Sequence, residues 1–183
     1  MSPIVCMLRG VNLGGHNQIK MDALRVLCGS LGLKDAQTYA QSGNVVFRTE
    51  ERNLVRLSER IESAIGKKFG FRPDVVLRSA SDLKEIVARN PFAKRLGLDP
   101  AKLAVIFFKE TPGTEACVNL LQMKADDEEV HTVGREFYIY FSRGMGKSKL
   151  FAAIGRKLKA GTARNWNTVT KLLEMANQLE SGH

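Results

Sequence analysis

The sequence predicts the α+β class: a tandem duplication of two βαββαβ subdomains, residues 1–98 and 99–183. Three observations predict it. Short apolar runs of strand length alternate with stretches of helical period, Gly, Pro and Asn mark the junctions, and the order of elements in the first half returns in the second.

In the first half, residues 4–9 (IVCMLR) read as a strand followed by a Gly/Asn loop, VNLGGHNQ. A helix from Met21 sets Met21, Leu24, Leu27, Cys28 and Leu31 on one face, and Gly29 and Gly32 end it. Residues 35–40 and 45–49 form a hairpin about a Ser42-Gly43-Asn44 turn. The next helix turns Leu54, Leu57, Ile61, Ile65 and Phe69 inward and stops before Pro73. Residues 74–78 are a strand, and Ser79 or Ser81 caps a helix running to Arg89, before Asn90-Pro91.

In the second half, residues 103–108 (LAVIFF) are a strand, Pro112-Gly113 a break and 114–123 a short helix. Residues 129–133 and 136–141 pair around Gly134. A helix spans Ser148 to Lys159, an extended stretch covers Thr162–Arg164, and a last helix at 166–179 points Trp166, Val169, Leu172, Leu173, Ala176 and Leu179 to the core. Two successive βαββαβ units are the ferredoxin-like pattern made in duplicate, with a linking helix after the first and a terminal helix after the second.

Composition is that of a globular chain, with 44% hydrophobic and 26% charged residues. No apolar run is long enough to cross a membrane, and residues 1–8 are too short for a signal h-region, so a cytoplasmic location without membrane contact is expected. Cys6, Cys28 and Cys117 are widely spaced and read as reduced thiols packed as small hydrophobes. His16, His131 and His183 do not cluster, and neither a metal site nor a cofactor is expected.

Charge is concentrated. Eight Lys/Arg and no Asp/Glu lie from Arg143 to Lys171, against a net +9 for the whole chain. Such a segment suits an anionic partner, because charge that only solvates is interspersed with acids. Lys147, Ser148, Lys149, Arg156, Lys157 and Arg164 are its candidate anion-binding residues. The loop Gly144-Met145-Gly146-Lys147-Ser148 echoes a phosphate-binding loop, but Phe141 stands where a nucleotide-hydrolysing version needs glycine. A looser phosphate contact is the reading that remains. The acidic run Asp126-Asp127-Glu128-Glu129 falls at the pole where this loop begins, placed to neutralise its lysines locally.

The topology also brings the first strand–helix loop to the pole of the first hairpin turn. Arg9, Asn12, Gly14, Gly15 and Asn17 then meet Gln41, Ser42 and Asn44. Glycines admit a ligand to the backbone, Arg9 offers a bidentate fork, and the amides and hydroxyl offer neutral donors. The loops read either as a polar ligand cradle or as tight turns shaped by their own glycines and asparagines. Tyr138 and Tyr140 lie on a strand where an RNA-recognition domain stacks bases; the competing reading covers them with the other repeat or a terminal helix. Trp166 reads as a core anchor.

The strings LRGVNLGGHNQIKM, YAQSGNVVF, GKSKLFAAIGRKL and TARNWNTVTKLLEM together resemble the bacterial family catalogued as domain of unknown function 1697. The resemblance implies two similar α+β halves in a compact cytoplasmic protein, and implies no activity. Its recurrent positions are matched here by Arg9, Gly10, Asn12, Gly14 and Gly15, by Gln41 to Asn44, by Ser148 and Lys149, and by Arg164, Asn165 and Trp166. Ala163 stands where the family usually has a second Thr.

No catalytic signature names a reaction. The leading expectation is a binding module for a phosphate-bearing ligand, with nucleic acid as the first class and a phosphorylated small molecule as the second. The alternatives are an enzyme acting on a small polar or nucleotide-like substrate near Arg9, His16 and Ser42, and a protein-interaction scaffold.

Overall fold

The computed structural model describes residues 1–157 and 161–182, and of Lys157 the backbone only. Its elements follow the order β1 (Ser2–Leu8), α1 (Met21–Ser30), β2 (Lys34–Tyr39), β3 (Asn44–Thr49), α2 (Leu54–Phe69), β4 (Val75–Ser79), α3 (Ala80–Ala88). They continue with β5 (Leu103–Phe108), α4 (Thr114–Leu121), β6 (Glu128–Val133), β7 (Glu136–Phe141), α5 (Lys149–Lys157), β8 (Gly161–Asn165) and α6 (Trp166–Glu180). The strands form two four-stranded antiparallel sheets, ordered β2-β3-β1-β4 and β6-β7-β5-β8. The chain divides into two compact units, Met1–Glu85 with Lys171–His183, and Ile86–Thr170.

In the first unit α1 and α2 cover one face of the sheet. Leu24, Leu27 and Cys28 from α1 and Leu57, Ile61 and Ile65 from α2 meet Ile4, Cys6, Leu8, Val45, Phe47 and Leu77. The spacing of those helical residues puts them on one stripe, while alternation puts the strand residues on one face. Asn53 caps α2 by accepting from the Arg56 amide at 3.0 Å, and Gly70 closes it with φ 80°. Ser79 and Asp82 form a reciprocal box at the head of α3: each side chain accepts from the other's backbone N–H at 3.0 Å. In the second unit Leu120 of α4 and Leu150, Ala153 and Ile154 of α5 pack on Ala104, Ile106, Phe108, Phe137, Ile139 and Phe141.

The halves correspond in register as well as in order. Val5 pairs with Arg78 across β1 and β4, and Val105 pairs with Arg164 across β5 and β8. Both arginines are buried, and each donates from Nη1 to the carbonyl of the residue before it, at 2.9 and 2.8 Å. The next residue caps the next helix in both, Ser79 for α3 and Asn165, which accepts from the Thr168 amide, for α6.

Some boundaries differ from expectation. The first hairpin turn is Ala40–Gly43, and Asn44 lies within β3, buried and paired with Tyr39. Strand β1 starts at Ser2 because Ser2 and Pro3 continue the ladder opposite Thr49 and Arg48. Trp166 is half-buried and not a core anchor; Met175 is buried in α6 instead. Residues 158 and 159, expected in α5, lie outside the described residues. None of the three cysteines is in a disulfide; Cys6 and Cys28 are buried and Cys117 half-buried, and burial pushes the Cys28 thiol up to about 11. Among the described residues no helix is long and apolar enough to cross a membrane.

Candidate functional site

The two loops of the first unit do converge. The Leu8 amide donates to the Gly43 carbonyl at 2.9 Å, and the Asn12 side chain donates to the Gln41 carbonyl at 2.7 Å. A Cβ at Gly43 would lie 2.5 Å from Val11 Cγ2, so the hairpin turn is packed directly against the loop. Within the loop, Leu13 to His16 form a miniature hairpin whose two central glycines have φ 56° and 81°. Asn12 and Asn17 flank it in the left-handed region, at φ 55° and 51°.

The amides expected to cradle a ligand are engaged in building the loops. Asn12 Nδ2 donates to the Ile19 and Gln41 carbonyls, and its Oδ1 accepts from the Ile19 amide at 2.8 Å. Asn17 donates to the Gly10 carbonyl at 3.1 Å, and Asn44 donates to the Tyr39 carbonyl and the Ser42 hydroxyl. Arg9 pairs with Asp74 at 3.2 Å. Gly14, Gly15, His16 and Gln41 are exposed. The wealth of neutral polar side chains therefore has a structural use, in satisfying backbone groups that a turn leaves without partners.

Among the candidate basic residues of the second unit, Lys147 and Lys149 lie around a cleft. This cleft of ≈ 360 Å³ opens between the turn after α4, residues 123–128, and the loop from β7 to α5, residues 142–149. Lys124, Asp127, Glu128, Ser142, Arg143, Lys147, Ser148 and Lys149 are among its lining residues. A 3₁₀ turn at Met145–Lys147 leads into α5, where the Ser148 hydroxyl accepts from the Phe151 amide at 3.0 Å. Ser148 is thus an N-cap with its oxygen already engaged. The side chains of Lys147 and Lys149 on either side of it are exposed and make no hydrogen bond or ion pair with a described residue. They stand beside the positive end of the α5 dipole.

The acids opposite divide their work. Glu128 accepts from the Ala125 amide and closes its own turn, while Glu129 pairs with Arg95. Asp127 Oδ2 accepts from the Ser142 hydroxyl at 2.6 Å and from Arg143 Nε at 2.8 Å. The Ser142 hydrogen bond, followed by the Arg143 guanidinium, holds the Asp127 carboxyl below the usual carboxylate range. The run thus neutralises Arg143 and pairs with neither Lys147 nor Lys149.

Arg156 is exposed on α5, and the Lys157 side chain lies outside the described residues. Arg164 is buried, donating to the Thr162 hydroxyl at 2.7 Å, which removes it from the expected basic surface. The stacking platform is also absent: Tyr138 is buried with its hydroxyl donating to the Ile86 carbonyl, and Phe92 and Arg95 lie against Tyr140. Lys124 escaped sequence reasoning; its ammonium donates to the Ala125 and Glu128 carbonyls and shapes the cleft wall. No motif marks it, since its partners are backbone groups.

The profile of the family described as a protein of unknown function, DUF1697, matches residues 1–138. The chain belongs to this family. The DUF1697 match takes in the whole first loop pair and the α4–β6 wall of the cleft. It stops before residues 142–149, so the opposite wall and the strings GKSKLFAAIGRKL and TARNWNTVTKLLEM lie beyond it. No curated protein matches. Among solved structures, the conserved bacterial protein SP0830 of Streptococcus pneumoniae is similar with a TM-score of 0.73 and 23% identity, over 96% of this chain and 98% of that one. A likeness at this identity speaks for the shared fold.

Proposed function

We propose that the protein is a binding module for a phosphate-bearing ligand, with nucleic acid as the ligand class, and that the phosphate enters the cleft between residues 123–128 and 142–149. The observation that carries the reading is the pair Lys147 and Lys149 at the head of α5, whose side chains are exposed and make no hydrogen bond or ion pair with a described residue. Cations held beside a helix N-terminus favour an anion, and Arg156 extends the positive surface along the same helix. With Tyr138 buried, recognition runs through phosphates rather than base stacking. Such a ligand would place the protein in the cytoplasm. The loops at Arg9 and Ser42 give the enzyme reading less support, because Arg9 faces Asp74 and the Asn12, Asn17 and Asn44 amides are engaged.

The scaffold for this module is read as a duplicated ferredoxin-like fold with repeats at 1–98 and 99–183. Matching strand orders and the matching registers of Arg78 and Arg164 support it. Fluorescence anisotropy with short RNA and DNA at low salt tests the function. Micromolar or tighter binding that weakens at least about fivefold in Lys147→Ala/Lys149→Ala is expected, at roughly 1 kcal/mol or less per exposed phosphate contact. Absence of binding at micromolar protein, or binding indifferent to both substitutions, removes the proposal.

A further inference from the structure

One carboxylate oxygen in the cleft receives two convergent donors. Ser142 Oγ lies 2.6 Å and Arg143 Nε 2.8 Å from Asp127 Oδ2. A hydroxyl and a guanidinium N–H closing on a single anionic oxygen are the chemistry of a phosphate receptor. The donors are held by the backbone: the Gly144 amide donates to the Phe141 carbonyl at 2.8 Å, and Gly144, at φ 86°, turns the chain into the 3₁₀ segment. Lys147 and Lys149 line the same cleft and make no ion pair with a described residue.

Resting on the phosphate-binding reading above, we infer that Asp127 occupies, from within the chain, the seat that a terminal phosphate of the ligand takes, and thereby selects phosphate monoesters over diesters. A carboxylate carries one negative charge. A diester carries the same charge, so exchanging one for the other on Ser142 and Arg143 gains nothing. A monoester carries about −1.5 to −2 at neutral pH and three acceptor oxygens, enough to engage Ser142, Arg143 and the two lysines together. Asp127, ionised because the same two donors hold its carboxyl low, then swings out toward solvent, where its side chain is already 35% exposed. The ligand class narrows from nucleic acid in general to a strand end or nucleotide bearing a free phosphate.

The test is anisotropy with one oligonucleotide, labelled at its 3′ end, with and without a 5′-phosphate. The proteins are wild type, Asp127→Asn, Ser142→Ala and the double variant, each checked for native circular dichroism; Asp127→Ser replaces Asp127→Asn if the latter fails to fold. Asp127→Asn is expected to tighten the phosphorylated probe about tenfold and the unphosphorylated probe less than about twofold, the scale of one close charge pair. Ser142→Ala should abolish most of that gain in the double variant and, on its own, weaken the phosphorylated probe, which needs the same hydroxyl once Asp127 has swung out. Equal tightening of both probes would reveal only a field effect of the removed charge, and a gain that survives Ser142→Ala would show that the seat is not used; either overturns the inference while leaving the phosphate-binding reading intact. Failure of every protein to bind either probe overturns both. Competition by a free nucleoside 5′-monophosphate separates the sources: displacement at equal concentration indicates a nucleotide ligand, and weaker displacement a strand end.

Discussion

A Cβ at Gly43 would lie 2.5 Å from Val11 Cγ2 and 2.8 Å from Leu8 Cβ, and the backbone there has φ 74°. Neither neighbour can move freely, since Leu8 and Val11 are themselves buried. Gly43→Ala is therefore expected to cost about 3 kcal/mol, from overpacking and a left-handed alanine together. Thermal melting should show it as a fall of roughly 6–12 °C in Tm. At this scale the sequence told residue types well and partners badly. Asn12, Asn17 and Asn44 stood out as polar loop residues, but their acceptors are carbonyls that only the folded chain brings near. Arg164 was read as surface charge because solvation is the ordinary fate of arginine, and its burial at β8 follows from pairing with the buried Val105.

Elements were more legible than residues. Apolar alternation and helical period located the helices and most strands within a residue or two. Of the two serines that residue type offered as the α3 cap the structure uses Ser79, while Ser148, expected as the first residue of α5, is its cap. The first hairpin turn was placed one to two residues late because Ser-Gly-Asn is a strong turn signal, whereas the structure turns from Ala40, a left-handed alanine that no propensity favours. Of the two readings of Tyr138, stacking surface or covered by the other repeat or a terminal helix, the structure takes the covered one, with Ile86 of residues 1–98 against it. Its hydroxyl donates to the Ile86 carbonyl at 2.7 Å, in the last turn of α3, where helix carbonyls lack partners of their own. Tyr138→Phe should therefore destabilise by about 1–2 kcal/mol in urea unfolding, with an unchanged m-value. A loss below about 0.3 kcal/mol would mean that water replaces the hydroxyl freely.

For the molecule as a whole, the eight cations of residues 143–171 overstate the charge available for binding. Arg143 faces Asp127, Arg164 is buried and Lys171 pairs with Glu174, which leaves Lys147, Lys149 and Arg156 as the exposed, unpaired cations among the described side chains. If these three contact a single strand, the slope of log K against log salt should be about −2; engagement of all eight would give about −6. A salt titration of oligonucleotide binding separates the two. The compact unit that starts at Met1 is left by the chain at Glu85 and re-entered at Lys171, and Lys84 reaches Glu180 across that gap at 2.7 Å. On a ribosome, the unit begun first is consequently finished last. The Ile86–Thr170 unit can close during elongation, while its neighbour waits for Leu172 and Leu179 to emerge before its own packing is complete.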